Sequence, residues 1–300
     1  MEPLTAGDPV EVGGYRLRTR LGAGGTGQVY LAFSPGGRPV AVKVVRPGLG
    51  EGEDFRRRFR RETQAARQVH GLYTAQVLDA DPDATPPWLV TAYVPGPSLR
   101  EVVENHGPMP AQTVFLLIAG IAEALLAIHL AGLVHRDLKP SNVLLAPDGP
   151  RVIDFGIART AEATTLTQSD MRVGTPLFMA PEHVTGRPVT PAMDVFSLGA
   201  VATYAATGRS PFLQGSPAAV LYRIVHAPPD LEGCPAELRD LIERCLAKDP
   251  AARPAPGEII GTCRSRTAGQ AAQIAQAWLP PAMAATVTRY AAPPSLAGPG

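Results

Sequence analysis

Gly22, Gly24 and Gly27 form a Gly-x-Gly-x-x-Gly run within Leu21-Gly22-Ala23-Gly24-Gly25-Thr26-Gly27-Gln28-Val29. Residues without side chains let a backbone approach a phosphate closely and present its N–H groups. Farther along, Val40-Ala41-Val42-Lys43 sets one lysine on an apolar strand. Alternation puts Ala41 and Lys43 on the same face, so a small residue and a cation line one cleft under the glycines. Glu62, on the helix that follows, is the natural counter-ion of Lys43. Together these residues suggest capture of a phosphate-bearing ligand. Each also has a plainer reading as a glycine-rich hairpin, a solvated lysine or a carboxylate paired with a neighbouring arginine. A dinucleotide site would want a helix directly after the glycines, whereas a strand follows here. No Gly-Lys-Ser/Thr closes the run, so the Walker pattern fails too.

The elements that must position these residues are legible in outline. Short β-prone runs at 15–21, 28–33 and 39–45, bounded by Gly and Pro, carry the glycines and the lysine. Over 53–69, Phe55, Phe59, Ala66 and Val69 recur at helical spacing, and the arginines between them read as a solvated face. A further strand at 88–94 runs into Pro95-Gly96-Pro97, which breaks regular structure. Beyond it helices dominate, at 111–131, 194–207, 218–226 and 236–247. The layout is a small β-rich lobe joined to a larger helical one. The stretch 114–134 is long enough to cross a membrane, but Glu123 and His129 within it favour a buried core helix. After Arg264 the texture changes, and Pro280-Pro281, Pro293-Pro294 and Pro299 punctuate an Ala-rich stretch with few charges. This composition predicts a linker or disordered tail that catalysis can lose, with 268–279 as its one amphipathic segment.

Composition narrows the classes. Gly 30 and Pro 32 in 300 residues stay below the quarter at which they argue disorder, and 45% hydrophobic residues can build a core. With 28 Lys and Arg against 27 Asp and Glu, the net charge of +1 creates no global field for nucleic acid or an anionic membrane, so any anion must be held locally. Cys234, Cys245 and Cys263 form no CxxC pair and leave one over, which fits a reduced, cytoplasmic setting without disulfides or zinc. The first residues show no secretory signal.

The remaining motifs turn this outline into a family resemblance. His135-Arg136-Asp137-Leu138-Lys139-Pro140-Ser141-Asn142 is followed by Asp154-Phe155-Gly156 and then Ala180-Pro181-Glu182. Each triplet is common, but their order and spacing behind the glycine run and Lys43 are not. Over about residues 15–264 the chain resembles the eukaryotic-like (Hanks-type) serine/threonine protein kinases in their bacterial branch. The resemblance implies an α+β bilobal protein-kinase fold, with a small β-rich N-lobe at 15–94 and a larger helical C-lobe at 95–265. Residues 1–14 are then an N-terminal extension, and 266–300 the Ala/Pro-rich tail.

The resemblance also implies roles. ATP and Mg²⁺ are the expected cofactors, and serine or threonine hydroxyls of proteins the acceptors. Leu21, Gly22, Gly24 and Gly27 cover the phosphates, and Lys43, held by Glu62, contacts them. Asp154 and Asn142 ligate the metal, a hard cation suited to oxygen donors. Asp137 accepts the hydroxyl proton, and Lys139 neutralises the γ-phosphate as in Ser/Thr-directed members. Val29, Ala41 and Leu144 sandwich the adenine, with Thr91 as gatekeeper and the main chain of Ala92 and Val94 at its edge. Asp194 braces the catalytic loop, and Arg253 pairs with Glu182. In the activation segment, Thr167 and Ser169, then Thr165, are the expected phosphorylation sites, with Arg136 as the phosphate's partner and Thr175 a structural hydroxyl between Asp137 and Lys139. A dimer that phosphorylates itself in trans accords with this, and neither nucleic acid nor a membrane span is expected. Two alternatives are a pseudokinase that binds nucleotide without turnover, and a small-molecule kinase of related fold. The latter is expected to lack the segment from Gly174-Thr175-Pro176 to Ala180-Pro181-Glu182.

Overall fold

The computed structural model describes residues 1–48, 50, 52–156, 176–213, 215–268 and 278–290. Its N-terminal part is a seven-stranded sheet built from β1 (Glu2–Pro3), β2 (Glu11–Val12), β3 (Tyr15–Gly24), β4 (Gly27–Phe33), β5 (Pro39–Val45), β6 (Val77–Asp81) and β7 (Trp88–Ala92). The strand order is β1-β3-β4-β5-β7-β6, with β2 also paired to β3. Alternation sorts the side chains between two faces. Leu17, Tyr30, Ala32, Val40, Val42, Val44, Trp88 and Val90 form one buried cluster. Directly opposed pairs on the other face are Val29 with Lys43 and Ala41 with Thr91. Residues opposed across an antiparallel pair share a face, so the residues expected to meet a ligand lie together on the side away from that cluster.

Helix α1 (Glu53–Ala66) buries Phe55, Phe59, Glu62, Thr63 and Ala66 along one stripe, with Phe55 stacked on Phe59 at 5.6 Å. Its arginines form the solvated face: Arg57 pairs with Asp54 and Arg60 with Asp83. The extension at 1–14 is tied down. Asp8 accepts hydrogen bonds from Arg20 Nε at 2.8 Å, Tyr30 OH at 2.7 Å and the Thr5 N–H at 2.7 Å, and Arg20 holds its carboxyl well below the usual range.

The helical part begins at α2 (Leu99–His106), opened by a capping box between Ser98 and Glu101. Helix α3 (Ala111–Leu130) is apolar and long enough to cross a membrane, yet most of it is buried inside the lobe. Around it stand β8 (Val143–Ala146), β9 (Gly149–Val152), α4 (Pro181–Val184), α5 (Ala192–Thr207), α6 (Pro217–His226), α7 (Ala236–Cys245) and α8 (Pro256–Thr267), of which α5, α8 and β9 pack directly on α3. Helix α8 carries the lobe past residue 265. The structure also differs from the expected tail. Residues 278–290, ending in α9 (Pro281–Tyr290), dock on the C-lobe through buried Trp278, Leu279, Met283 and Val287. Four large apolar side chains at a suitable spacing suffice to hold a short segment whose average composition reads as a linker. The amphipathic segment expected at 268–279 lies mostly outside the described residues.

Candidate active site

The loop after α3 is fixed by one buried carboxylate. Asp194, in the first turn of α5 and 0% exposed, accepts the N–H of His135 at 2.8 Å and of Arg136 at 2.9 Å. Its Oδ2 also lies 2.7 Å from His129 Nε2. These bonds hold Arg136 at φ 63°, a left-handed conformation that a side chain adopts only when its surroundings impose it. Asp154 is held likewise at φ 59°. Phe155 packs edge-on against His135 with ring centroids 6.0 Å apart, and Gly156 N–H donates to the His135 carbonyl at 3.0 Å. A Cβ on Gly156 would lie 2.8 Å from that oxygen. The two motifs therefore lock to each other on the C-lobe.

From this platform Asp137 reaches the cleft. Lys139 Nζ lies 2.9 Å from its Oδ2. Asn142 donates its amide N–H to the Asp137 carbonyl at 2.8 Å and to Oδ2 at 3.3 Å. Those bonds aim the Asn142 side-chain oxygen away from Asp137. Across the cleft Lys43 Nζ lies 3.3 Å from Asp154 Oδ1. One carboxylate and one amide oxygen are hard donors of the kind Mg²⁺ takes, together with phosphate oxygens and water, so the residues present fit that ion. Among the described residues no cluster of three or more His, Cys, Asp or Glu side chains competes as a metal site.

The glycines divide into two kinds. A Cβ on Gly27 would fall 2.1 Å from the Val44 carbonyl oxygen, so packing alone demands glycine there. At Gly22 and Gly24 a Cβ would meet nothing within 4 Å. Among the described residues, nothing packed against these two positions requires glycine. Leu21 lies just before Gly22 at a break in the β3–β4 register. On the C-lobe side, Leu144 bridges to Ser98 and the Leu145 N–H donates to the Pro97 carbonyl at 2.9 Å, which places β8 under the connector that follows Thr91, Ala92 and Val94. The Ala92 N–H is taken by the Gln76 carbonyl at 2.9 Å.

One expected pair is not the one formed. Glu62 Oε1 lies 3.1 Å from Arg136 Nη1, while Lys43 is paired with Asp154. Helix α1 faces Glu62 toward the C-lobe, where the guanidinium projecting from the strained Arg136 reaches it first. Burial pushes the Glu62 carboxyl up, and Arg136 opposes that shift. Glu182 and Arg253 do meet as expected, bidentately at 2.6 and 2.8 Å, with Arg253 also donating to the carbonyls of Ala192, Ala247 and Lys248. Thr165, Thr167, Ser169 and Thr175 lie outside the described residues. Sequence reasoning missed the Asp8 network and Trp278; the one signal for the latter is a tryptophan in an otherwise Ala/Pro-rich stretch.

A two-lobed fold with a glycine hairpin and Lys43 on one side of a cleft, and Asp137, Asn142 and Asp154 on the other, is the arrangement of the protein-kinase class. Residues 15–262 match the family described as the protein kinase domain. The probable serine/threonine-protein kinase PkwA of Thermomonospora curvata is 54% identical over 260 residues, which cover 87% of this chain and 35% of that protein. The serine/threonine-protein kinase AfsK of Streptomyces coelicolor is 52% identical over 284 residues, covering 93% and 36%. Among solved structures, the PknI kinase domain of Mycobacterium tuberculosis superposes with a TM-score of 0.68 at 27% identity, over 85% of this chain and 96% of that one. The chain belongs to the protein kinase family, in its bacterial serine/threonine branch. It spans about a third of the length of the two curated relatives just described.

Proposed function

We propose that this chain transfers the γ-phosphate of ATP to serine or threonine hydroxyls of proteins, its own activation segment included. The observation that carries the reading is the Asp137 carboxylate, held at 2.9 Å by Lys139 and at 3.3 Å by Asn142, on the side of the cleft from which Asp154 reaches Lys43. Asp137 accepts the proton of the attacking hydroxyl, and Lys139 offsets charge on the phosphoryl group in flight. Phosphoryl transfer asks chiefly for such positioning and charge compensation. Lys43 exchanges Asp154 for the α- and β-phosphates, under a hairpin whose Gly22 and Gly24 leave room for backbone contacts. Asp154 and the Asn142 oxygen would hold Mg²⁺, which would supply charge neutralisation and orientation of the phosphates. Adenine lies between Val29, Ala41 and Leu144, with Thr91 behind it and the main chain of Ala92 and Val94 at its edge.

Arg136 links this site to the activation segment. A phosphate on Thr167 or Ser169, with Thr165 third, brings nearly two negative charges and three acceptor oxygens that a guanidinium grips more strongly than a single carboxylate. Taking Arg136 in this way frees Glu62 to hold Lys43 in place of Asp154. Free, buried Cys234, Cys245 and Cys263 support a reducing, cytoplasmic setting for the domain, and a second copy of the chain is the natural partner for modification in trans.

The test is γ-phosphate transfer from labelled ATP, measured beside nucleotide binding. Wild type should label itself and a generic Ser/Thr protein acceptor. Mass spectrometry should find phosphate at Thr167 or Ser169 and none in Lys43→Ala. Tight nucleotide binding with no transfer would establish the pseudokinase alternative instead, and a fully active Thr167→Ala/Ser169→Ala chain would rule out control at those sites.

A further inference from the structure

Trp278 and α9 lie beyond residue 262, where the match to the kinase family ends, yet they are built into the ground beneath the nucleotide cleft. Trp278 is 9% exposed, and its Nε1–H donates to the Ala146 carbonyl at 2.9 Å, at the last residue of β8. Helix α9 packs on β8 and on α2, and its Thr286 Oγ1 lies 2.9 Å from His106 Nε2 at the end of α2. At the far end of α9, Tyr290 stands near enough to Tyr93, between Ala92 and Val94, to add to the upward push that burial gives its phenol. The segment thus touches two elements around the adenine position, β8 and α2.

Those two elements and the connector are already clasped together on the cleft side. Leu144 bridges to Ser98, and a Cβ on Gly96 would lie 2.3 Å from the Leu145 carbonyl. β8 is only four residues long, so a bond at Ala146 acts two residues from Leu144. We propose that residues 278–290 are a strap that positions the adenine pocket, with Trp278 as a positioning residue that holds β8, and through it Leu144, against the connector. Nucleotide affinity then depends on the strap being docked, because a pocket already ordered spares the ligand the entropy of ordering it. Linkage makes the coupling reciprocal: bound nucleotide tightens the strap. The proposal rests on the placement of adenine against Ala41 and Leu144 given above.

The experiment uses the full chain, with ADP and Mg²⁺ as the probe. Trp278→Ala should raise the ADP Kd and the ATP KM by roughly 3- to 10-fold, the reach of one hydrogen bond and its packing, with kcat falling by less than KM rises. Trp278→Phe, which keeps the ring and loses the donor, and Thr286→Val, which cuts the contact to His106 along with the hydroxyl's bonds to Arg289 and Ala282 within α9, should move Kd the same way by less. Saturating ADP should slow hydrogen exchange across 278–290 in the wild type, a readout that needs no variant. Ala41→Ile, which fills the pocket directly, should lose ADP binding. Unchanged binding in Ala41→Ile overturns the pocket placement and the strap with it. Lost binding in Ala41→Ile, together with variants at 278 and 286 that melt earlier but bind ADP normally and exchange that ignores ADP, overturns the strap alone.

Discussion

At the scale of single residues the site is a set of charges whose partners are chosen by geometry. Asp137 has both its carboxylate and its carbonyl engaged by Lys139 and Asn142, so its position survives a change of charge. Asp137→Asn should therefore keep nucleotide affinity within a few-fold while lowering phosphoryl transfer by about 10² to 10⁴, the usual worth of a positioned general base; single-turnover transfer beside ADP titration measures both. Asp154→Asn should behave differently, weakening Mg²⁺-dependent nucleotide binding because a neutral amide replaces a hard anionic ligand. An isotherm that responds to Mg²⁺ as wild type does would remove Asp154 from the metal. Glu62 shows how a residue of the expected type can still have a different partner, since burial makes its charge costly and the nearest guanidinium takes it.

At the scale of elements, the β3–β4 hairpin holds glycines of two kinds, one confined by packing and two that are open. Gly27→Ala should destabilise the N-lobe by about 1–3 kcal/mol, since its methyl collides with the Val44 carbonyl. Gly22→Ala should change stability by no more than about 0.5 kcal/mol and yet raise the ATP KM. Thermal melts set beside KM values test the contrast, and equal melting losses would refute it. The base of the same hairpin is anchored by Asp8, whose carboxyl Arg20 holds well below its ordinary value. A depressed folded-state pKa gives stability that is complete above the unfolded value of about 3.9 and is lost as the pH falls below it. The gap in melting temperature between wild type and Asp8→Asn should hence be constant from pH 7 to 5 and shrink below about pH 4.

At the scale of the whole molecule, long-range pairs set the relation between parts. Arg253 and Glu182 are 0% and 3% exposed in their side chains and fully hydrogen-bonded. Truncating one partner leaves a buried charge alone, so Arg253→Met should cost about 3–5 kcal/mol in chemical unfolding. Transfer measured per folded molecule at low temperature should be much less affected, because neither group touches the cleft. The docked 278–290 segment belongs to this scale as well. Truncation after Thr267 exposes the surface that Leu279, Met283 and Val287 cover, and a lowered melting temperature is the expected result.

The amino-acid sequence alone carried the fold class and the order of the motifs. These depend on local signals: glycines at fixed spacing, a lysine in strand alternation, and triplets within one loop. It also separated the buried helix α3 from a membrane span, because Glu123 and His129 interrupt its apolar run. Strand β6 escaped notice because only Val77 in it is buried, so no alternation marks it. Only the tertiary structure decided that Glu62 meets Arg136, 74 residues away, and that Trp278 bonds to Ala146 across 132 residues. Such choices depend on how the two lobes and the last helix approach one another, which no window along the chain contains. The composition of residues 266–300 averages four anchoring side chains into a background of Ala and Pro, whereas docking depends on where those four stand.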